Sequence, residues 1–194
     1  MLLVGRPREF DEATVVAAAR DAFWSGGVAA TSITDLSQAT GLSAGSLYKA
    51  FGSKAGLTDR TLQDYLEQSY EQVRRLVDDA PSGLAGLRAW LDSAAASASD
   101  CGPTRGCYAV VCAVELADRD ELSRERLRRH DDRLRALLAS AVRRAVGDGD
   151  LDVDPEAGAR LLLTTVVGLQ VDARKGVSPA TARSTLDLAL RALA

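Results

Sequence analysis

The chain has 194 residues, 46% of them apolar, with 24 basic and 27 acidic side chains and a net charge of −3. That suffices for a sizeable core in one large or two small domains. The absence of any run of about 18 apolar residues argues against a membrane span, and the near-neutral balance excludes a protein that holds nucleic acid by bulk positive charge. Ala, Leu, Arg, Asp and Glu dominate, β-branched runs are short and prolines stand where helices should begin, so the predicted class is all-α with about nine helices.

Met1-Leu2-Leu3-Val4 is too short for the apolar region of a signal peptide, which leads us to expect a cytoplasmic protein. Gly5-Arg6-Pro7-Arg8 is a short basic arm. It reads either as a disordered terminus or as a segment reaching phosphate or the minor groove. Asp11 is placed to cap a first helix, in which Val15, Ala18, Ala19, Ala22 and Phe23 follow the spacing of one buried face. Gly26-Gly27 should end it, with Trp24 packing beside the stripe. Ser32 with Asp35 three residues on is a capping-box pattern. Ile33, Leu36 and Thr40 continue that helix to a stop at Gly41. Ser43 caps the next helix, which runs to Phe51, and Ser53 caps a long one towards Asp79.

The Ser43–Phe51 helix carries the chemistry. Leu47, Ala50 and Phe51 point one way and form a small apolar anchor. Gly45, Ser46, Tyr48 and Lys49 lie on the other side, small, hydroxylated and cationic. A helix this short is unstable alone, so a scaffold must hold it and present that face outward, as a helix-turn-helix does when its second helix enters the DNA major groove. The first sixty residues carry as many acids as bases, so DNA contact must rest on local placement, above all of Lys49 and Lys54.

Pro81-Ser82-Gly83 is the first clear break. Beyond it the apolar spacing predicts helices over about Ser82–Ser99, Arg105–Ala117, Asp120–Val146, Pro155–Arg174 and from Ser178-Pro179 to the end. Cys101, Cys107 and Cys112 are an odd number of cysteines in a chain read as intracellular, which argues against structural disulfides. Cys107 follows Gly106 near a helix start with Arg105 adjacent, a setting that lowers a thiol pKa, although a buried apolar cysteine is the commoner case. His130, the only histidine, sits in Arg-Arg-His-Asp-Asp and reads as part of a solvated face. No motif places a base beside a cysteine and the His/Cys spacing is poor for zinc, so neither an enzyme, a metal site nor a cofactor is expected.

Across about Arg8 to Gln68 the chain resembles the TetR family of bacterial transcriptional regulators. The matching features are the stripe ending in Phe23, Gly27, Thr31-Ser32-Ile33, Asp35-Leu36, Gly41-Leu42-Ser43, Gly45-Ser46-Leu47-Tyr48, Phe51 and Ser53-Lys54. The resemblance implies an all-helical homodimer with a DNA-binding domain over residues 8–68 (motif about 32–51) and a ligand-binding and dimerisation domain over 81–194. It implies phosphate contacts from Thr31, Ser32, Thr34, Tyr48 and Lys54, and puts Ala44, Gly45, Ser46 and Lys49 where base-reading residues lie. Gly106-Cys107 followed by Glu115-Leu116 is similar to the ligand-domain helix of one subset, which often has Asn in place of Val111. Some of its members sense electrophiles or oxidants through a cysteine at the Cys107 position.

Trp90, Cys107, Tyr108, Glu115, Leu134, Thr165 and Leu169 are candidates to line a cavity for an apolar or amphipathic effector. Leu162, Val166, Leu169, Leu186 and Leu190 are candidates for a dimer interface. The function expected is a ligand-responsive repressor that binds a near-palindromic double-stranded operator as a homodimer. A redox- or electrophile-responsive version acting through Cys107, and a ligand-binding protein with weak DNA binding, are the alternatives.

Overall fold

The computed structural model describes residues 10–100 and 106–194. The Gly5–Arg8 arm, Cys101 and Arg105 lie outside the described residues. Among those described there are helices and no strands: α1 (Glu12–Gly26), α2 (Ile33–Thr40), α3 (Ala44–Phe51), α4 (Lys54–Asp78), α5 (Gly83–Asp100), α6 (Tyr108–Leu116), α7 (Glu121–Gly147), α8 (Pro155–Ala173) and α9 (Pro179–Arg191). None of these is long and apolar enough to cross a membrane. The chain forms two compact units, one ending at Asp64 and the other starting at Tyr65, so the division falls inside α4.

In the first unit local capping sets every helix start. The Asp11 carboxylate accepts from the Ala13 and Thr14 amides, and Ser32 and Asp35 form the full reciprocal capping box. Ser43 Oγ accepts from the Ser46 amide, and Ser53 Oγ from that of Gly56 at 3.0 Å. Such caps contribute about 1 kcal/mol each. Phe23, Leu36, Leu47, Leu57 and Leu62 are fully buried. Gly41 ends α2 in the left-handed conformation at φ +70°. Gly56 is required by proximity: a Cβ there would stand 2.1 Å from the Phe51 carbonyl oxygen, at the corner between α3 and α4. Arg60 donates to Glu12 at 3.2 Å and Arg20 to Asp64 at 3.5 Å, tying α1 to α4.

The second unit is a helical cluster centred on α5, α7 and α8. A short connection makes α7 and α8 an antiparallel hairpin, in which a Cβ at Gly158 would meet Val142 Cγ1 at 3.2 Å. At the start of α5, a Cβ on Gly83 would lie 2.3 Å from the Ala141 carbonyl oxygen, so only glycine lets these backbones approach. Val77, Leu87, Leu138, Ala141, Val142, Ala145 and Leu162 are essentially inaccessible. The buried edge of α4 continues through Val77, while Leu76 is half-buried. The outer side of α7 is a ladder of local ion pairs: Glu125 accepts from Arg128 at 3.0 Å and from Arg129 at 2.6 Å.

Two expectations are corrected here. His130 is not on the solvated face; it is 7% exposed, because it lies one turn before Leu134 on the buried stripe. The five residues expected at a dimer interface, Leu162, Val166, Leu169, Leu186 and Leu190, are each at most 9% exposed and belong to the chain's own core. The large apolar residues of these two helices that remain open to solvent are Leu161, Val167 and Val171 on α8 and Leu188 on α9.

Candidate nucleic-acid interface

α3 is only eight residues long and carries one fully buried side chain, Leu47. Its opposite side is open: Gly45 and Lys49 are exposed and Tyr48 is 48% exposed, a large value for an aromatic side chain. Ala44 and Ser46 are half-buried. Ser46 Oγ lies 3.0 Å from Ser43 Oγ, so the cap already holds that hydroxyl. No hydrogen bond or ion pair ties down Tyr48 or Lys49 among the described residues.

Around α2 the expected phosphate contacts separate into different classes. Thr34 is exposed. Ser32 is exposed too, but its hydroxyl donates to Asp35 Oδ2 at 2.7 Å, leaving it committed to the cap. That bond, the Ser32 amide and the nearby Lys54 cation hold the Asp35 carboxyl below its ordinary range. Thr31 is a correction. It is 5% exposed, its hydroxyl donates to the Gly27 carbonyl at 2.6 Å, and its amide donates to the same oxygen, so it seals the α1–α2 turn and cannot reach a phosphate. Lys54 donates from Nζ to the Ala29 carbonyl at 3.2 Å, which fixes its cation beside the α1–α2 turn. The interface therefore divides into a preorganised part (Ser32, Ser46, Lys54) and a free part (Thr34, Gly45, Tyr48, Lys49).

The seven residues expected to line a ligand cavity are dispersed in character. Trp90, Tyr108, Leu134 and Leu169 are core residues, while Cys107, Glu115 and Thr165 are half-buried. Thr165 donates its hydroxyl to the Leu161 carbonyl of its own helix. Cys107 is the N-cap of α6 without a side-chain cap bond, and its Sγ lies 3.3 Å from the Tyr65 hydroxyl. Tyr65 and Tyr108 meet edge to face at 5.5 Å. Burial pushes the Cys112 thiol up to about 12. A cleft of about 80 Å³ opens elsewhere, between α5 and α9. Leu91, Ala95, Leu186 and Leu190 form its floor and Arg88, Asp92, Arg183 and Asp187 its rim, and none of the seven lines it.

A capped helix, a tight turn and a second short helix whose free face bears Tyr48 and Lys49 define a helix-turn-helix DNA-binding protein. Residues 15–61 match the family model for bacterial regulatory proteins of the tetR family, and residues 83–187 match that for the tetracyclin repressor-like C-terminal domain. The chain belongs to the TetR family and is a DNA-binding transcriptional regulator. It is 28% identical over 177 residues to the HTH-type transcriptional repressor ComR of Escherichia coli (strain K12), covering 90% of this chain and 84% of that one. A cysteine-substituted form of the TetR family regulator CifR, solved with 26-bp double-strand operator DNA, superimposes with a TM-score of 0.86 at 34% identity, over 98% of this chain and 100% of that one. The reduced form of E. coli NemR matches with a TM-score of 0.83 at 18% identity, over 94% of this chain and 96% of that one, a likeness of fold.

Proposed function

We propose that the protein is a homodimeric, effector-responsive repressor whose two α3 helices read the half-sites of a near-palindromic operator. The observation that carries this reading is the free Tyr48–Lys49 face on a helix otherwise fixed by its cap and by buried Leu47. Tyr48 and Thr34 grip phosphate alongside the pinned Lys54, and Lys49 reaches a base edge, with guanine the natural partner of an ammonium donor. Dimerisation uses the outward faces of α8 and α9. Leu161, Val167 and Val171 recur along one side of α8, exposed Gly168 among them permits close approach, and Leu188 continues the surface on α9. A second copy doubles the number of bases read and sets half-site spacing. The effector acts by binding the form that does not hold DNA more tightly, which shifts the population away from the operator.

Purified protein titrated into labelled DNA from upstream of its own gene tests this, followed by fluorescence anisotropy over a salt series. Binding should be specific and weaken steeply with salt. Lys49→Ala should cost about 1–3 kcal/mol and relax preference at one base position. Equal affinity for unrelated DNA would leave a ligand-binding protein without specific DNA recognition.

A second reading is favoured by the Tyr65–Cys107 contact and by the cysteine substitutions in the operator-bound CifR relative. In it, modification of Cys107 is itself the signal. Cys107→Ser should then abolish peroxide- or electrophile-induced release of DNA, and unchanged release in that variant would remove this reading.

A further inference from the structure

The α7–α8 hairpin is built in layers. Val142 lies against Gly158 near its turn, and four-residue steps in opposite directions bring Leu138 level with Leu162, Leu134 with Val166, and then His130 with Gln170. All eight are buried. Three layers are apolar and the fourth is not. His130 is 7% and Gln170 6% exposed. Gln170 Nε2 donates to the Ala94 carbonyl at 3.4 Å, but its Oε1 and the Nδ1 of His130 are buried without a hydrogen-bond partner. Helical cores seldom leave such atoms unmatched, because each forfeits its hydration. Along α5 the buried side chains change from Leu87 and Trp90 to Ala94 and Ala98 where Gln170 is bonded. Side chains become small where polar atoms lack partners.

The chemistry of these atoms narrows what would satisfy them. An amide oxygen only accepts, so the missing partner for Gln170 must donate. Burial, with the Arg133 charge adding to it, drives the imidazole to about 4, so it is neutral near pH 7 and offers one donor and one acceptor. The charges beside it answer each other, since Arg133 is bonded to Glu67 at 2.9 Å. A carboxylate would bring no donor to Gln170. An ammonium would give up its hydration without finding a counter-charge.

We propose that the His130–Gln170 layer is the recognition end of an effector site in the C-terminal unit, which takes an uncharged hydrogen-bond-donating group, a hydroxyl or primary amide, carried on an apolar body. This rests on the effector-responsive reading above. Gln170 Oε1 takes the ligand's donor, His130 Nδ1 bonds the same group, and the Ala94–Ala98 face accommodates the apolar part.

Thermal unfolding of the full chain with matched six-carbon probes tests it. At equal low concentrations, 1-hexanol and hexanamide should raise the unfolding temperature, whereas hexanoate and hexylammonium should not. Gln170→Leu and His130→Leu should each weaken the apparent affinity for the two neutral probes at least tenfold. Gln170→Leu alone should melt no lower than the wild type, since it removes an unmatched buried oxygen. Gln170→Met, of matching length, carries the same test if the branched side chain unfolds the protein. The proposal is overturned if the charged probes bind as well as the neutral ones, if the variants keep their affinity, or if no probe shifts the transition. Anisotropy on the upstream DNA separates the two readings. DNA binding with no probe preference removes only this site, whereas no DNA binding removes the regulator reading itself.

Discussion

His130 ties acidity to stability. Its folded-state pKa of about 4 lies below the ordinary 6.5, so between those values the unfolded chain holds the extra proton. Stability is therefore complete above about pH 6.5 and falls as acid is added through that window, by up to roughly 1.4 kcal/mol per pH unit. Denaturant unfolding at stepped pH should show this slope, and His130→Leu should flatten it. Gly56 makes a second residue-scale case. Gly56→Ala removes backbone freedom from the unfolded chain, which would ordinarily stabilise a helix. Here the methyl would meet the Phe51 carbonyl oxygen at 2.1 Å. Overpacking of this kind costs about 1–3 kcal/mol, so the variant should melt lower and bind DNA more weakly as the α3 corner shifts. Cys112 should resist alkylation in the native protein: with its thiol near 12, its thiolate is about a thousandfold scarcer than for an ordinary cysteine. Peptide mapping after iodoacetamide treatment should find Cys112 modified only once the chain is unfolded.

At the level of helices, starts and stops were legible because they are made of local chemistry. Asp11, Ser32, Ser43, Asp154 and Ser178 are N-caps within three residues of the amides they accept from, so the signal and its cause lie together in the sequence. What was not legible was which of two apolar stripes a helix buries in its own chain. α8 is apolar on nearly every side, and periodicity alone could not tell Leu162 and Val166, which are core, from Leu161 and Val167, which face outward. His130 was misread for the opposite reason. Its charged neighbours hid a spacing of four from Leu134 that already placed it on the buried side. Thr31 looked like a surface hydroxyl, and only the backbone of the α1–α2 turn reveals the Gly27 carbonyl it serves. The outward α8 stripe yields a direct prediction. Val167→Glu should move the protein from dimer to monomer in analytical ultracentrifugation and weaken operator binding. Leu188→Ser on α9 should act in the same direction but less strongly, and a Val167→Glu variant that stays dimeric would exclude this face.

For the molecule as a whole, the residues proposed to touch DNA and those proposed to hold an effector belong to different compact units, and α4 contributes to both. An effector moves the operator-bound population only by its difference in affinity between the two forms. A shift from nearly all bound to nearly all free requires about 5.5 kcal/mol of such difference. Adding a neutral probe should therefore weaken operator binding, and operator DNA should weaken probe binding by the same factor.

The capping scheme of the first unit also bears on how the protein is made. Each helix from α1 to the start of α4 is initiated by bonds spanning two or three residues, and the ties that close the unit, Arg20 to Asp64 and Arg60 to Glu12, are complete once residue 64 exists. Caps this local favour rapid folding. During synthesis the DNA-reading unit therefore assembles first, while the buried face of α7 and α8 is still being translated.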